Sequence, residues 1–308
     1  MKSQTLKGYS YILFSILVWS GWVVVSRQAM SGPLSAYDIT AIRFTIAGLI
    51  LLPVAFKKGL RIGPWGVWGA VVMACCIGAP YTNLSVLGMK YAPASHASTI
   101  LNGALLVSTT TLGILLLKET TSPLRLVGVL VSIGGMGCML MAKSAYGAGD
   151  NEWIGHMLFI TAGIMWSGYT LFVKAWKADA LQAAAAVCVF SMLLYMPPYL
   201  MFIESHITLA NWKPVLFQSF YQGVLTAVIA LISFNAGIRL LGASRATAFI
   251  PLVPVLSTLL AVPVLGEVPS SLEISGVAAV SLGVLLSSGV IRLRRPAAVV
   301  EVEKPCAA

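Results

Sequence analysis

Charge is what this 308-residue chain has least of. Only 10% of its residues are Asp, Glu, Lys or Arg, less than half of the ~25% found in soluble domains. That shortage excludes an ordinary soluble enzyme and a disordered chain. The 20 basic residues outnumber 10 acids, but they are scattered between apolar stretches with no lysine-rich cluster to track phosphates. No nucleic-acid partner is expected. Cysteine is scarce too. Cys75, Cys76, Cys138, Cys188 and Cys306 show neither metal-ligand spacing nor a disulfide framework. Cys75 and Cys76 are read as small apolar packing groups, and no metal or other cofactor is expected.

What the chain has is long hydrophobic runs: 58% of it is hydrophobic and its mean hydropathy is +0.89. Stretches free of charged residues cover 8–26, 44–56, 62–89, 91–117, 126–142, 153–173, 180–203, 214–238, 246–266 and 274–291. A membrane-crossing helix needs roughly 20 apolar residues, and nine of the ten reach or approach that length. The second is short and must extend back to about Ile39, which carries Arg43 to membrane depth. These stretches predict an all-α, polytopic membrane protein of ten transmembrane helices, with the lipid bilayer as its main partner; a homodimer stays open.

The placement of charge sets the orientation. With the N-terminus inside, 15 basic residues fall on inner segments and four (Arg27, Lys90, Lys143, Lys213) on outer ones. The positive-inside rule then predicts a cell (cytoplasmic) membrane protein with both termini cytoplasmic. Lys2 and Lys7 precede an apolar run too long for a signal-peptide core and without a convincing cleavage site, so it is read as the first helix. The tail 294–308 is expected to be disordered; it ends one residue short of a prenylation box.

The chain repeats itself. Residues 88–109 align without a gap on 237–258, pairing Gly88 with Gly237, Ala94-Ser95 with Ala243-Ser244 and Ser108-Thr109 with Ser257-Thr258. At an offset of 148, Glu119 meets Glu267, Ser122 meets Ser270, Gly128 meets Gly276 and Gly135 meets Gly283. Trp19-Ser20-Gly21 matches Trp166-Ser167-Gly168 at an offset of 147, with Arg27 on Lys174. Two copies result, 1–143 and 152–293, of five helices each. Because five is odd, the second copy enters the membrane from the other side. The expectation is a pair of inverted-topology five-helix repeats, an architecture associated with alternating-access carriers.

At these residues the chain resembles the EamA repeat of the drug/metabolite transporter superfamily. The carriers of the resemblance are the Ala-Ser-x-Ala that opens the fourth and ninth helices, the Glu and following Gly after each, and the doubled Trp-Ser-Gly. It covers about 290 residues, and the second copy, with Pro251, Pro254 and Leu265-Gly266-Glu267, is the closer match. The resemblance implies a ten-helix carrier with a central cavity lined by the first, third and fourth helices of each repeat, and commonly an exporter of amino acids, related metabolites or drugs. The first copy departs from the pattern with Asn102-Gly103 where the second has Pro251; both are expected to weaken a helix at matching depth.

Several residues could bind substrate. Arg43 near a helix centre would cost about 2.5–3.5 kcal/mol; it either snorkels to the headgroups or offers a forked donor to a substrate carboxylate. Ser95, Ser98, Thr99 and Asn102 share one helical face with His96 beside them, so the strip either lines a cavity or ties helices together. Trp19 and Trp166 lie inside their spans, followed at i+3 by Trp22 and Tyr169, which suits a pocket wall or core packing. Tyr81 with Asn83, and Phe234 with Asn235, put one amide in each third helix, and Phe249 completes the facing wall. Glu119 and Glu267 are read as interhelix ties at gates on opposite faces.

The leading function is an alternating-access transporter, an exporter of small metabolites such as amino acids, with multidrug efflux as the alternative. Arg43 would repel lipophilic cations. A membrane-embedded enzyme would need grouped acids or an acid–histidine pair. The charge-free stretches contain no acid, and His96, His156 and His206 are far apart in the chain. A receptor or scaffold would have no evident use for an inverted repeat.

Overall fold

A computed structural model describes residues 2–208, 210 and 212–290. The tail 294–308, expected to be disordered, lies outside them. Ten helical spans follow one another: α1 Lys2–Met30, α2 Ala36–Lys58, α3 Val67–Tyr91, α4 Ala94–Leu117, α5 Pro123–Met141, α6 Glu152–Ala175, α7 Ala180–Phe202, α8 Trp212–Leu241, α9 Leu252–Leu265 and α10 Ser271–Ser287. All but α9 and α10 run at least 19 residues, and α9 lengthens to 21 when counted from Arg245. No strand occurs among the described residues. The protein is an all-helical, polytopic membrane protein. Large apolar side chains such as Leu116, Leu130 and Met201 are left exposed, as expected where lipid replaces water.

The helix ends and breaks have local causes. Ser35 and Ser270 open α2 and α10 through full capping boxes with Asp38 and Glu273. The α3 span breaks at Gly78, where a Cβ would lie 2.0 Å from Ser191 Oγ. The same hydroxyl accepts the freed Ala79 N–H at 3.2 Å. In α8, Ser219–Ile229 is π-helical, a wide turn that often accompanies functional sites. Pro251 separates the short helix Ala243–Thr247 from α9. The matching Asn102-Gly103 behaves otherwise: α4 runs unbroken from Ala94 to Leu117, and the Asn102 amide donates to the Ser98 carbonyl at 2.7 Å. The expected break exists in the second half alone, because an asparagine keeps the backbone N–H that a proline lacks.

Packing interleaves the halves. The first helix of each half packs on the third and fourth helices of the other: α1 on α8 and α9, α6 on α3 and α4. Helix α2 packs along α7, and α5 along α10. The α5–α10 crossing is close because it is lined by glycine. A Cβ on Gly135 would lie 2.9 Å from the Gly276 carbonyl, one on Gly276 2.9 Å from the Gly135 carbonyl, and one on Gly283 2.4 Å from the Gly128 carbonyl. In hydrocarbon, such backbone approach is a main source of helix association. The start of α1 and the end of α10 lie on one face, called here the terminal face; Met30, Tyr91 and Ala94 mark the far face.

Candidate functional site

Arg43 packs against aromatic rings. It lies two turns into α2, its guanidinium 5.5 Å from the centre of the Trp22 ring and 5.8 Å from that of Phe44. Gln222, on the π-helical turn of α8 and fully buried, is the hub beside it. Its amide oxygen accepts from Trp22 Nε1 at 2.7 Å and from Arg43 Nη1 at 3.3 Å. Its amide nitrogen donates to Ser26 Oγ at 3.0 Å and to Gln218 Oε1 at 3.1 Å. All four hydrogen-bonding positions of the amide are thereby used. Arg43 keeps donors to spare: Nε is buried with no partner, and among the described residues no carboxylate pairs with the guanidinium. Gln218 also floors a cavity of about 240 Å³ on the far face, between Gln28–Leu34 and Pro214.

The other residues named from the sequence divide among several places. Trp22 and Tyr81 share a buried cluster on which Trp166 packs, and Trp166 meets Tyr81 edge-on with centroids 5.7 Å apart. Trp22 thus belongs to the same aromatic cluster as Tyr81 and Trp166 and also faces the Arg43 guanidinium. Trp19 lies with Phe234 at 4.9 Å, in a separate cluster that includes Phe249, itself 5.8 Å from Tyr9. Tyr169 belongs to the α3–α6–α7 packing near Met73 and Val187. Asn83 accepts from Tyr195 OH at 3.3 Å, a tie between α3 and α7. Thr99 is fully buried with its hydroxyl unpartnered, Asn102 is turned onto its own helix, and Asn235 is half-buried on α8.

His96 goes elsewhere, into a polar cluster at the far face. Its Nε2 lies 3.0 Å from Glu273 Oε1. Its Nδ1 lies 2.8 Å from His156 Nε2 and 3.2 Å from Glu152 Oε1. Beside it, Glu267 accepts from Arg27 Nε at 2.7 Å and from the Ala94 N–H at 2.9 Å. Arg27 further donates to the carbonyls of Met89 and Tyr146. At the terminal face the aligned residues Lys174 and Glu119 also pair at 2.7 Å. The interhelix ties expected of Glu119 and Glu267 are both present, each made to the first helix of the other half.

The description of the EamA-like transporter family fits residues 6–141 and, a second time, residues 153–289. The chain belongs to the EamA-like transporter family. Its relatives include an uncharacterized transporter of Clostridium kluyveri, 26% identical over 91% of this chain and 93% of that one. The uncharacterized transporter YwfM of Bacillus subtilis is 25% identical over 95% and 98%. A WAT1-related protein of Arabidopsis thaliana is 23% identical over 85% and 77%. A solved crystal structure superposes with a TM-score of 0.60 over 93% of this chain and 96% of that one, at 22% identity, a likeness of fold.

Within this EamA fold, two sequence expectations need correction. The first is that acids avoid the spans. Asp38, Glu152 and Glu273 all lie in the first turns of helices and are buried: capping boxes draw α2 and α10 out past their charge-free stretches to Asp38 and Glu273, whereas α6 starts at Glu152 without a side-chain cap. Asp38 is held by Tyr199 OH at 2.5 Å, by Ser35 and by the His206 N–H. The second is that the histidines stand apart. The fold stacks His96 on His156 with centroids 5.1 Å apart. Sequence reasoning also passed over Gln222, although a glutamine inside an uncharged stretch is the same signal that marks Asn83 and Asn235. Glu152 and His156 could have been noticed as an i,i+4 pair at the mouth of α6.

Proposed function

We propose that this EamA-family protein is an alternating-access exporter of small carboxylate-bearing metabolites, amino acids and their relatives, in the cytoplasmic membrane. One observation carries the reading: Arg43 is set against Trp22 deep in the bundle, with no carboxylate partner among the described residues and with unused donors. A cation in a membrane interior is costly, and a fork of N–H groups without a partner suits a carboxylate arriving as substrate. Aromatic walls with a few fixed polar groups are the usual lining of small-molecule sites. In this reading Trp22, Arg43, Tyr81 and Trp166 hold the substrate. Trp19, Asn83, Thr99, Asn102, Tyr169, Asn235 and Phe249 lie along the path, and Gln222 seals it toward the far face.

The halves 1–143 and 152–293 act as inverted repeats whose rocking exposes the site alternately, with the terminal face cytoplasmic. No covalent step is part of this reading, and the relatives named as transporters support that. The absence of an acid–histidine group, which the sequence suggested, does not support it, because the fold assembles one. Replacing Arg43 by Gln is expected to reduce export of carboxylated substrates at least tenfold while the protein still folds and inserts; unchanged export would reduce Arg43 to a packing residue. Orientation is tested by cysteines at the exposed positions Thr120 and Val268. An impermeant thiol reagent outside the cell should label Val268→Cys and spare Thr120→Cys.

A further inference from the structure

The far-face cluster has a geometry that a transport path does not require. His96 Nδ1, His156 Nε2 and Glu152 Oε1 converge, all within 4.8 Å of one another. Their separations are 2.8, 3.2 and 3.8 Å. Donors bound at about 2.0–2.1 Å around a tetrahedral Zn²⁺ lie about 3.3 Å apart, near the middle of those three values. All three residues are buried.

The protonation pattern of His96 points the same way. Glu273 Oε1 is an acceptor, so the Nε2 facing it at 3.0 Å carries the hydrogen. In the neutral ring Nδ1 is then a lone pair, directed at the His156 nitrogen and the Glu152 oxygen. A carboxylate holding the far nitrogen of a ligating histidine is the usual outer partner of a bound zinc ion. Glu273 is itself fixed by the capping box at Ser270 and by Ser95 Oγ at 3.2 Å. Independently, Glu152 Oε1 is buried with no hydrogen-bond partner although Glu152 is only 6% exposed. Its other oxygen is anchored by the Ser144 N–H at 3.3 Å. A buried carboxylate oxygen left without a donor is costly, and a cation at the convergence point would satisfy it.

We infer that His96, His156 and Glu152 form a binding site for a divalent transition-metal ion of the zinc class, with Glu273 as the positioning residue that orients His96. Two imidazole nitrogens and one carboxylate suit zinc, and three protein donors leave a fourth position for water. Hard ions such as Mg²⁺ and Ca²⁺ prefer all-oxygen shells and are excluded from the assignment. The ligands come from α4 and from α6, across the seam between the two halves. The bound ion therefore fastens the far-face gate. The gating consequence rests on the alternating-access reading above, whereas metal binding itself does not.

The test uses the purified full-length protein, stripped with chelator and titrated with Co²⁺. One Co²⁺ per chain is expected, with the intense visible absorption of a tetrahedral site, displaced by one equivalent of Zn²⁺. His156→Gln and Glu152→Gln should each weaken binding more than a hundredfold, with helical content and elution profile unchanged. Glu273→Gln should weaken it about 10–100-fold, the range for an outer partner. A wild-type protein that takes up no Co²⁺, its cluster holding a shared proton instead, overturns the assignment even if every variant fails to fold. So does a folded His156→Gln protein that binds Co²⁺ as tightly as wild type. Export measured in parallel keeps the two proposals apart: metal binding without export defeats the transport reading alone.

Discussion

The two faces of the molecule solve one problem with the same parts and opposite surroundings. Arg27–Glu267 at the far face and Lys174–Glu119 at the terminal face occupy aligned positions and have the same 2.7 Å separation. Yet the far-face side chains are 14% and 7% exposed, the terminal-face ones 59% and 22%. Near the first pair stand His96, Glu273, His156 and Glu152, and the residues aligned with these in the other half are Arg245, Arg125, Tyr9 and Thr5. One face gathers donors and acceptors that bind each other, while the other sets two cations where a histidine and a carboxylate would stand. The repeat therefore supplies the position of an interhelix ion pair, and the side chains around it set how deeply it is buried. In this structure the far-face pair is the more buried of the two.

The largest effect expected from that difference is at Glu267. Replacing it by Gln removes the only carboxylate paired with a largely buried Arg27 among the described residues, leaving it the Met89 and Tyr146 carbonyls, and weakens the acceptor for the Ala94 N–H. Breaking one partner of a buried pair costs about 3–5 kcal/mol, so a denaturation midpoint in detergent should fall clearly. The matching change at the terminal face, Lys174→Gln, should cost no more than about 1 kcal/mol, the ordinary value of an exposed pair. Equal losses at the two faces would remove the contrast and leave the exposure difference without energetic content.

How far the sequence foretells this depends on what each feature needs. The helical spans and the interhelix roles of Glu119 and Glu267 follow from hydrophobic length and from the alignment of the halves, but their partners Arg27 and Lys174 emerge only from the packing of α1 and α6. Arg43 was visible for the same reason: arithmetic alone pushed it into the membrane. Its partner Gln222 was not singled out, because a π-helical turn in α8 aims the amide at Trp22, and no residue in the stretch announces that turn. The His96–His156–Glu152 group was hidden by sequence distance. His96 and His156 stand 60 positions apart, and they meet because α6 packs on α4 across the seam. The Asn102-Gly103 expectation failed because symmetry of position was taken for symmetry of backbone chemistry.

The smallest effect expected concerns Asp179, which links α7 to α2 at the terminal face and shows how little a wet ion pair contributes there. Its carboxyl is held below the usual range chiefly by the Gln182 backbone N–H that it caps at 2.8 Å, then by Lys58 at 3.0 Å. A lowered folded-state pKa contributes stability above the unfolded value near 3.9 and loses it as pH falls through the folded value. Asn caps a helix about as well as Asp, so Asp179→Asn removes the Lys58 attraction while keeping the cap. With the carboxylate half exposed, the loss at neutral pH should be a few tenths of a kcal/mol. Wild type and variant should then converge as the pH is lowered below about 4. Unfolding midpoints of the two proteins measured across that range check the sign. A difference that persisted in acid would mean that Asp179 acts through packing, and the terminal face would be more tightly built than its exposed ion pairs suggest.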